Sequence, residues 1–175
     1  MTQRSMARSG DPRRGDIEIL DMEIDHLADV YHLGERTFTS DIPNLYRTWD
    51  AYEVTHLFTT EPELCLVAED RREGRLAGFV LGTTVTKPRS PWKYGYLLWM
   101  AVDEAYRKHR VGRRLLRHLV DRMVEQGVRI VLVDTDASNE EALAFFEAQG
   151  FEKRREHVYL SLNLDKRRRR RRART

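Results

Sequence analysis

The sequence predicts a mixed α/β (α+β) domain, in which a central, twisted, mixed sheet of about six to seven strands is flanked by about four helices. Three observations carry that reading. A charged turn, Asp70 to Arg75, joins two apolar stretches as an antiparallel hairpin. Strand, helix and strand follow one another from Tyr94 to Asp134, as in a parallel crossover unit. Within that unit Leu115, Leu116, Leu119, Val120, Met123 and Val124 form one continuous helical stripe.

Ile17 to Met22 alternates apolar and polar residues, as a short half-buried strand does. Asp25 is the expected N-cap of a first helix, whose Leu27, Val30, Tyr31, Gly34 and Phe38 recur at helical spacing. Pro43, within Asp41 to Asn44, breaks it. A second helical stretch is expected from about Thr48 to Thr59, with Trp49, Tyr52 and Leu57 or Phe58 available for packing. Glu63 to Glu69 and Leu76 to Thr84 are the hairpin strands, and Gly74 supplies the permissive backbone of their turn. Beyond Pro88 and Pro91, Tyr94 to Val102 is apolar and aromatic on both faces, the composition of a central strand covered on both sides. The striped helix runs from Gly112 to Gln126 and stops at Gly127, and Arg129 to Asp134 holds the buried run Ile130 to Val133. Ser138 and Glu141 form a capping-box pattern, opening a helix with Ala142, Phe145 and Phe146 inward and Gly150 at its end. Phe151 to Leu164 closes the fold as one bent strand or two short ones, alternating most clearly from Tyr159 to Leu164.

With 175 residues, 41% hydrophobic and 34% charged, the chain has the composition of a soluble protein and the length of one ordinary domain. No apolar run approaches the roughly 20 residues that cross a bilayer, so no membrane association is expected. Met1 to Asp16 lacks the apolar core of a signal peptide, so export is not expected. The lone Cys65 has no disulfide partner in the chain, which agrees with a reducing, cytoplasmic setting and gives no cysteine metal site. The organisation expected is a flexible N-terminus over 1–16, one domain over 17–164, and an Arg-rich disordered tail over 165–175. Lys166 to Arg174 carries eight cations against a net charge of +3, which leaves the remainder mildly acidic at −5. Such a run is ordinarily solvated; its functional alternative is electrostatic attachment to RNA, ribosomes or an anionic surface.

The informative anomaly precedes the striped helix, where Arg107, Lys108, His109, Arg110, Val111, Gly112, Arg113 and Arg114 follow one another. A helix N-terminus is partly positive and leaves its first amides unpaired, so cations there are opposed unless an anion occupies that end. A phosphate accepting backbone hydrogen bonds satisfies both requirements. The bland alternative is an exposed loop in an arginine-rich protein. Neither GxGxxG nor GxxxxGK[ST] is present.

Arg107-x-x-Arg110-x-Gly112, after a strand ending Met100-Ala101-Val102, resembles motif A of the GNAT superfamily of N-acetyltransferases, with Arg110 where the family's first glycine usually lies. Asn139, Ala142, Phe145, Phe146 and Gly150-Phe151 resemble motif B, so the likeness extends from about Tyr94 to Phe151. The resemblance implies acetyl-CoA as cosubstrate and no metal. Met100, Ala101 and Val102 would line the pantetheine and thioester, with the backbone of Met100 and Val102 making the hydrogen bonds. Arg107, Lys108, His109, Arg110, Val111, Gly112 and Arg113 would hold the pyrophosphate. Asn139 would meet the pantetheine arm and Phe146 the thiol end.

The family's tyrosine acid position resembles Phe146, which has no proton to give. Direct attack supported mainly by positioning and oxyanion stabilisation is therefore expected. Tyr96, Glu35 and Tyr159, with Tyr94, are the candidates to bind the acceptor or relay protons, while the place of His109 in the phosphate loop argues against its being a base. The implied activity is transfer of an acetyl group to a primary amine, either a protein or peptide amino group or a small amine. The resemblance also admits a homodimer through the terminal strand and the aromatics around Trp92 and Trp99. An RNA- or ribosome-associated, basic-tailed binding protein is the alternative from another class, though no RNP-type or zinc motif supports it.

Overall fold

Local rules place most of the helices and turns in the computed structural model, which describes residues 16–38, 48–86, 88, 89, 91–152 and 155. The chain divides after Asp134 into two units, and each is described by itself. In the first, the strands are β1 (Ile17–Asp21), β2 (Cys65–Asp70), β3 (Arg75–Thr86), β4 (Lys93–Val102) and β5 (Val128–Val133), and the helices are α1 (Leu27–Thr37), α2 (Ala51–Thr60) and α3 (Val111–Glu125). The strands form one sheet in the order β1-β2-β3-β4-β5, antiparallel except for the parallel pair β4 and β5. The described residues thus contain five strands where about six to seven are expected. The closing strand over Tyr159–Leu164, with its candidate Tyr159, lies outside them.

Helix entries differ from expectation in instructive ways. Asp25 does not cap α1; it lies inside a 3₁₀ turn, Ile24–His26, whose N-cap is Glu23. The chain tightens one turn earlier because the His26 Nδ1 accepts the Glu23 N–H at 2.8 Å. The second helix starts at Ala51, after Thr48, because Asp50 supplies the cap: its carboxylate accepts the Glu53 N–H at 2.8 Å. The hairpin turn is as expected, with Gly74 at φ 59°.

The two faces of the sheet are covered by different helices. Val30 and Leu33 of α1 and Val54 and Leu57 of α2 share one core with Val67, Phe79, Leu81, Trp99 and Ala101. α3 covers the opposite face, where a Cβ at Gly82 would meet Met123 Cε at 2.9 Å and Leu119 Cδ1 at 3.1 Å. β4 changes sides along its length. Leu81 pairs with Trp99 but Gly82 pairs with Leu97, so Leu98 is an extra residue, a bulge. Before the bulge Gly95 faces Met123 of α3; after it Trp99 and Ala101 face α1 and α2. The expectation of a strand fully covered on both faces is corrected accordingly: Leu97, Trp99 and Ala101 are buried, while Tyr94, Tyr96, Leu98, Met100 and Val102 are half-buried.

An aromatic cluster fills the α1/α2 side. Trp49 stacks on Phe79 at 5.3 Å and meets Trp99 edge-on at 5.2 Å, and Phe38 lies 4.9 Å from Trp99. Both indole N–H groups are satisfied: Trp49 donates to the Tyr31 carbonyl at 3.0 Å and Trp99 to the Glu53 carboxylate at 3.2 Å. No helix among the described residues is long and apolar enough to cross a membrane.

In the second unit α4 (Glu140–Ala148) is capped by Asn139, whose Oδ1 accepts the Ala142 N–H at 3.0 Å. The expected cap Ser138 is diverted, since its hydroxyl and amide both donate to Asp136, at 2.7 and 2.8 Å. Gly150, at φ 92°, follows the helix as expected.

The aromatic cluster gives a test. A Cβ at Gly34 would overlap the Trp49 indole. Replacing a mid-helix glycine by alanine ordinarily stabilises by about 1 kcal/mol. Gly34→Ala should instead destabilise by about 1–3 kcal/mol through overpacking, measured by urea denaturation; a more stable variant would contradict this packing.

Candidate active site

The site is assembled from two pieces of backbone. β5 ends at Val133, opposite Leu97, whereas β4 continues to Val102, so the edge of β4 at Met100 and Val102 runs on past its parallel neighbour. The direction of its polar groups follows from pleating. Asp103 N–H donates to the Ala77 carbonyl at 3.0 Å, and the Ala101 carbonyl lies against Gly78, both on the β3 side. Alternation then turns the N–H and C=O groups of Met100 and Val102 to the opposite edge. Ala101 is 3% exposed and belongs to the core, so the structure does not bring it to that edge.

The second piece is the turn into α3. Asp103 caps a 3₁₀ turn, Glu104–Tyr106, by accepting the Ala105 N–H at 3.0 Å. The chain then passes through Lys108 at φ 70° and Arg110 at φ 63°, a left-handed conformation that residues with a Cβ adopt at a cost of about 1 kcal/mol or more each. Arg110 is the N-cap of α3, yet no side chain caps the helix and no acidic residue stands in its first turn. The amides of Val111, Gly112 and Arg113 therefore open the helix without an intrahelical acceptor or a side-chain acceptor among the described residues, and the positive end of the dipole points the same way. Arg107, Lys108, Arg110 and Arg113 are exposed around it, and none forms an ion pair with another described residue. His109 and Gly112 are half-buried and Val111 is 1% exposed, anchoring the helix start in the core. The arrangement suits a dianionic group that accepts several backbone N–H bonds.

Beneath the turn lies a buried polar pair absent from the sequence reading. The Tyr106 hydroxyl donates to Asp70 Oδ2 at 3.0 Å and lies 3.4 Å from Glu73 Oε2, while Asp70 Oδ1 accepts the N–H groups of Arg72 at 3.0 Å and Glu73 at 3.3 Å. Tyr106 is 3% exposed and Asp70 5%. Burial and the Asp70 carboxylate push the tyrosine up to about 12, so its hydroxyl keeps its proton. Burial pulls Asp70 upward, but the Arg72 amide, the Tyr106 hydroxyl, the Glu73 amide and the Arg72 charge outweigh it and hold the carboxyl below its ordinary value.

Where β4 and β5 part, Tyr96 donates its hydroxyl to Asp134 Oδ1 at 2.9 Å. Asp134 immediately follows β5, and ligands of open α/β sheets collect at such strand ends. That was the available signal for Asp134: a carboxylate directly after the run Ile130 to Val133. Glu35 is placed differently. It is exposed on α1, where the Tyr31 hydroxyl donates to it at 2.7 Å and His32 Nδ1 lies at 3.0 Å. His32 and Tyr31 together hold its carboxyl below the usual range, which weakens it as a base. Asn139 and Phe146 belong to the second unit. There Asn139 is engaged as the cap of α4, and Phe146 packs edge-on against Phe145 and Phe151 at 5.2 and 5.3 Å. Among the described residues no group of three or more His, Cys, Asp or Glu is arranged to hold a metal ion.

The family model described as "Acetyltransferase (GNAT) family" matches residues 27–151. Human N-alpha-acetyltransferase 30 is 28% identical over 131 residues, covering 72% of this chain and 34% of its own length. The [ribosomal protein bS18]-alanine N-acetyltransferase of Escherichia coli K12 is 32% identical over 80 residues, 46% of this chain and 50% of that protein. The chain thus spans about a third to a half of the curated relatives it matches here. Among solved structures, a chain of the NatC complex bound to Gag peptide and CoA superposes with a TM-score of 0.70 at 20% identity, covering 80% of this chain and 87% of that one. An aminoglycoside acetyltransferase from an uncultured soil metagenomic sample superposes with a TM-score of 0.67 at 20% identity, covering 85% and 98%. These likenesses establish the fold.

The buried pair sets a pH dependence. Because the native Asp70 carboxyl lies below its unfolded value, its contribution to stability is present above about pH 4 and disappears as pH falls through the lower native value. Urea midpoints of the wild type and Asp70→Asn should differ at neutral pH and converge on acidification below about pH 4; a constant gap would contradict this role.

Proposed function

Because the chain belongs to the acetyltransferase (GNAT) family, we propose that it is an acetyl-CoA-dependent N-acetyltransferase, its domain spanning 17–164, that acts on a primary amine by direct attack. The observation that carries this reading is the uncapped, cation-ringed start of α3 beyond the β4 edge that outruns β5. The first piece suits a pyrophosphate and the second an extended amide-bearing arm, which are two parts of the non-reacting body of acetyl-CoA.

In this proposal the amides of Val111, Gly112 and Arg113 bind the pyrophosphate, with Arg107, Lys108, Arg110 and Arg113 adding charge and His109 within the same turn. The backbone of Met100 and Val102 holds the pantetheine and orients the thioester. Acetyl-CoA supplies the acetyl group on a thioester, whose sulfur leaves as the thiolate. The acceptor nitrogen forms the new bond to carbonyl carbon as the carbon–sulfur bond breaks. The proton lost by the amine goes to a base on the protein and the thiolate takes one from solvent. Asp134 is the carboxylate best placed for that base. It lies where β4 and β5 part, and the Tyr96 hydroxyl bonded to it fixes its orientation. Glu35 is tied to its own helix and is assigned to the acceptor side only as a binding residue.

The relatives named for N-alpha-acetylation and for ribosomal-protein alanine acetylation favour the amino terminus of a peptide or protein as acceptor over a small amine. No observation among the described residues favours the RNA- or ribosome-binding alternative, since the basic turn has a small-ligand explanation and the tail lies outside them.

The test is a screen of N-terminal peptides, aminoglycosides and simple amines, following thiol release from acetyl-CoA. Acetylation of at least one class supports the reading, and thiol release indistinguishable from the protein-free rate across the panel would sink it. With the best acceptor, Asp134→Asn should lower kcat by about 10²–10⁴-fold while acetyl-CoA affinity stays unchanged. Arg110→Glu with Arg113→Glu should do the reverse, weakening acetyl-CoA binding at least about tenfold, as measured by calorimetry.

A further inference from the structure

The turn that presents the α3 amides is exposed and holds two left-handed residues, so something must over-determine it. Its downstream end is held by Val111, which is 1% exposed. Its upstream end is Tyr106. The Tyr106 N–H donates to the Asp103 carbonyl at 2.9 Å, and its carbonyl takes the His109 N–H at 3.4 Å, so the backbone of the turn is hung directly from this residue.

The side chain of Tyr106 is fastened in turn to a different part of the molecule. Asp70 closes β2 and starts the hairpin turn into β3. Its carboxylate is immobilised by two backbone amides of that turn before it accepts the phenol at 3.0 Å. Among the described residues Asp70 is the buried charged side chain. Burying a carboxylate to bond a core tyrosine is a costly way to gain stability, since a phenylalanine facing an apolar partner would serve as well. What the bond adds is a fixed distance and direction between a rigid hairpin and the start of the turn.

Building on the donor-site reading above, we propose that Tyr106 is a positioning residue for the phosphate-binding turn. Acting through its buried hydrogen bond to Asp70, it holds Lys108 and Arg110 in the left-handed conformation that aims the first amides of α3. Tyr106 itself touches no substrate. Its effect reaches the ligand only through the backbone of residues 107–113.

The experiment uses the full chain and acetyl-CoA, with calorimetry for affinity and hydrogen exchange for the amides of residues 108–113 in the unliganded protein. Tyr106→Phe should raise the Kd for acetyl-CoA about three- to tenfold and speed exchange in the turn. Asp70→Asn should act in the same direction, and the double variant should be no weaker than the weaker single one, because both remove one interaction. Val54→Ala, a core truncation in α2, supplies the comparison a merely structural role would mimic: it should lower the melting temperature and leave the Kd unchanged. A folded Tyr106→Phe protein with wild-type affinity and wild-type exchange would overturn the proposal. Should Tyr106→Phe fail to fold, Asp70→Asn carries the same readouts. Failure of the wild type to bind acetyl-CoA would sink the donor-site reading instead, and the exchange arm would still decide whether Tyr106 holds the turn.

Discussion

The close seat of α3 on the sheet is the constraint from which the rest of the first unit follows. Helix and sheet approach where β3 and β4 present glycines: a Cβ at Gly95 would stand 2.5 Å from Met123 Sδ, and one at Gly82 2.9 Å from Met123 Cε. Any side chain there would lift the helix from the sheet, and the stripe Val111, Leu115, Leu119 and Met123, all 1% exposed or less, would lose its burial. That stripe also fixes where the helix begins. Val111 is the first residue of α3 and already belongs to the core, so the preceding turn has no freedom to slide along the axis. β5 is set by the same seat, since the crossover through α3 delivers it beside β4 only from Lys93 to Leu97.

Once α3 is pinned, the placement of charge becomes intelligible. Four exposed cations ring a helix end whose dipole is also positive, and no first-turn carboxylate relieves them. Solvent exposure keeps this tolerable, because repulsion between hydrated side chains is screened within about 10 Å at ordinary ionic strength. Two of the negative groups near the turn are turned to structural use. Asp103 caps the 3₁₀ turn and meets Arg36 at 3.6 Å, and Asp70 is consumed by Tyr106 and two amides. The helix start therefore keeps an uncompensated positive end, which is the feature the proposed donor site relies on.

Much of this was legible in the residues, and the boundary of legibility is physical. The stripe of α3 as far as Met123, the Gly74 turn and the strand order from Ile17 to Val133 rest on periodicity and backbone preference, which are local. Burial depends instead on tertiary context: Val124, Ile130 and Leu132, expected to be buried, are 62%, 37% and 42% exposed. Caps were read less well because several side-chain acceptors compete within a few residues: Asp136 captures Ser138 and leaves the cap to Asn139, and the His26 ring nitrogen takes the Glu23 N–H and turns the chain at Glu23, ahead of Asp25. The bulge at Leu98 carries no local mark, as it arises from matching β4 to β3 on one side and β5 on the other. Pairs such as Tyr96 with Asp134 and Tyr106 with Asp70 join residues 38 and 36 positions apart, and only the folded sheet brings them together.

The donor half of the proposed site lies in a short contiguous segment and the acceptor half does not, and the reason lies in which atoms would do the recognising. A phosphate held by the first amides of a helix and an arm held by a strand edge are bound through main-chain groups, which every residue supplies. Arg110 can therefore stand where a glycine is usual, provided it adopts the left-handed backbone, as its φ of 63° shows that it does. Recognition of an amine must instead rely on side chains that distinguish one nucleophile from another and accept its proton. Such side chains are drawn from separate elements, which in the proposed site are β4 and the residue that follows β5. A chain can thus declare its donor in a short contiguous segment while its acceptor is written only in the assembled cleft.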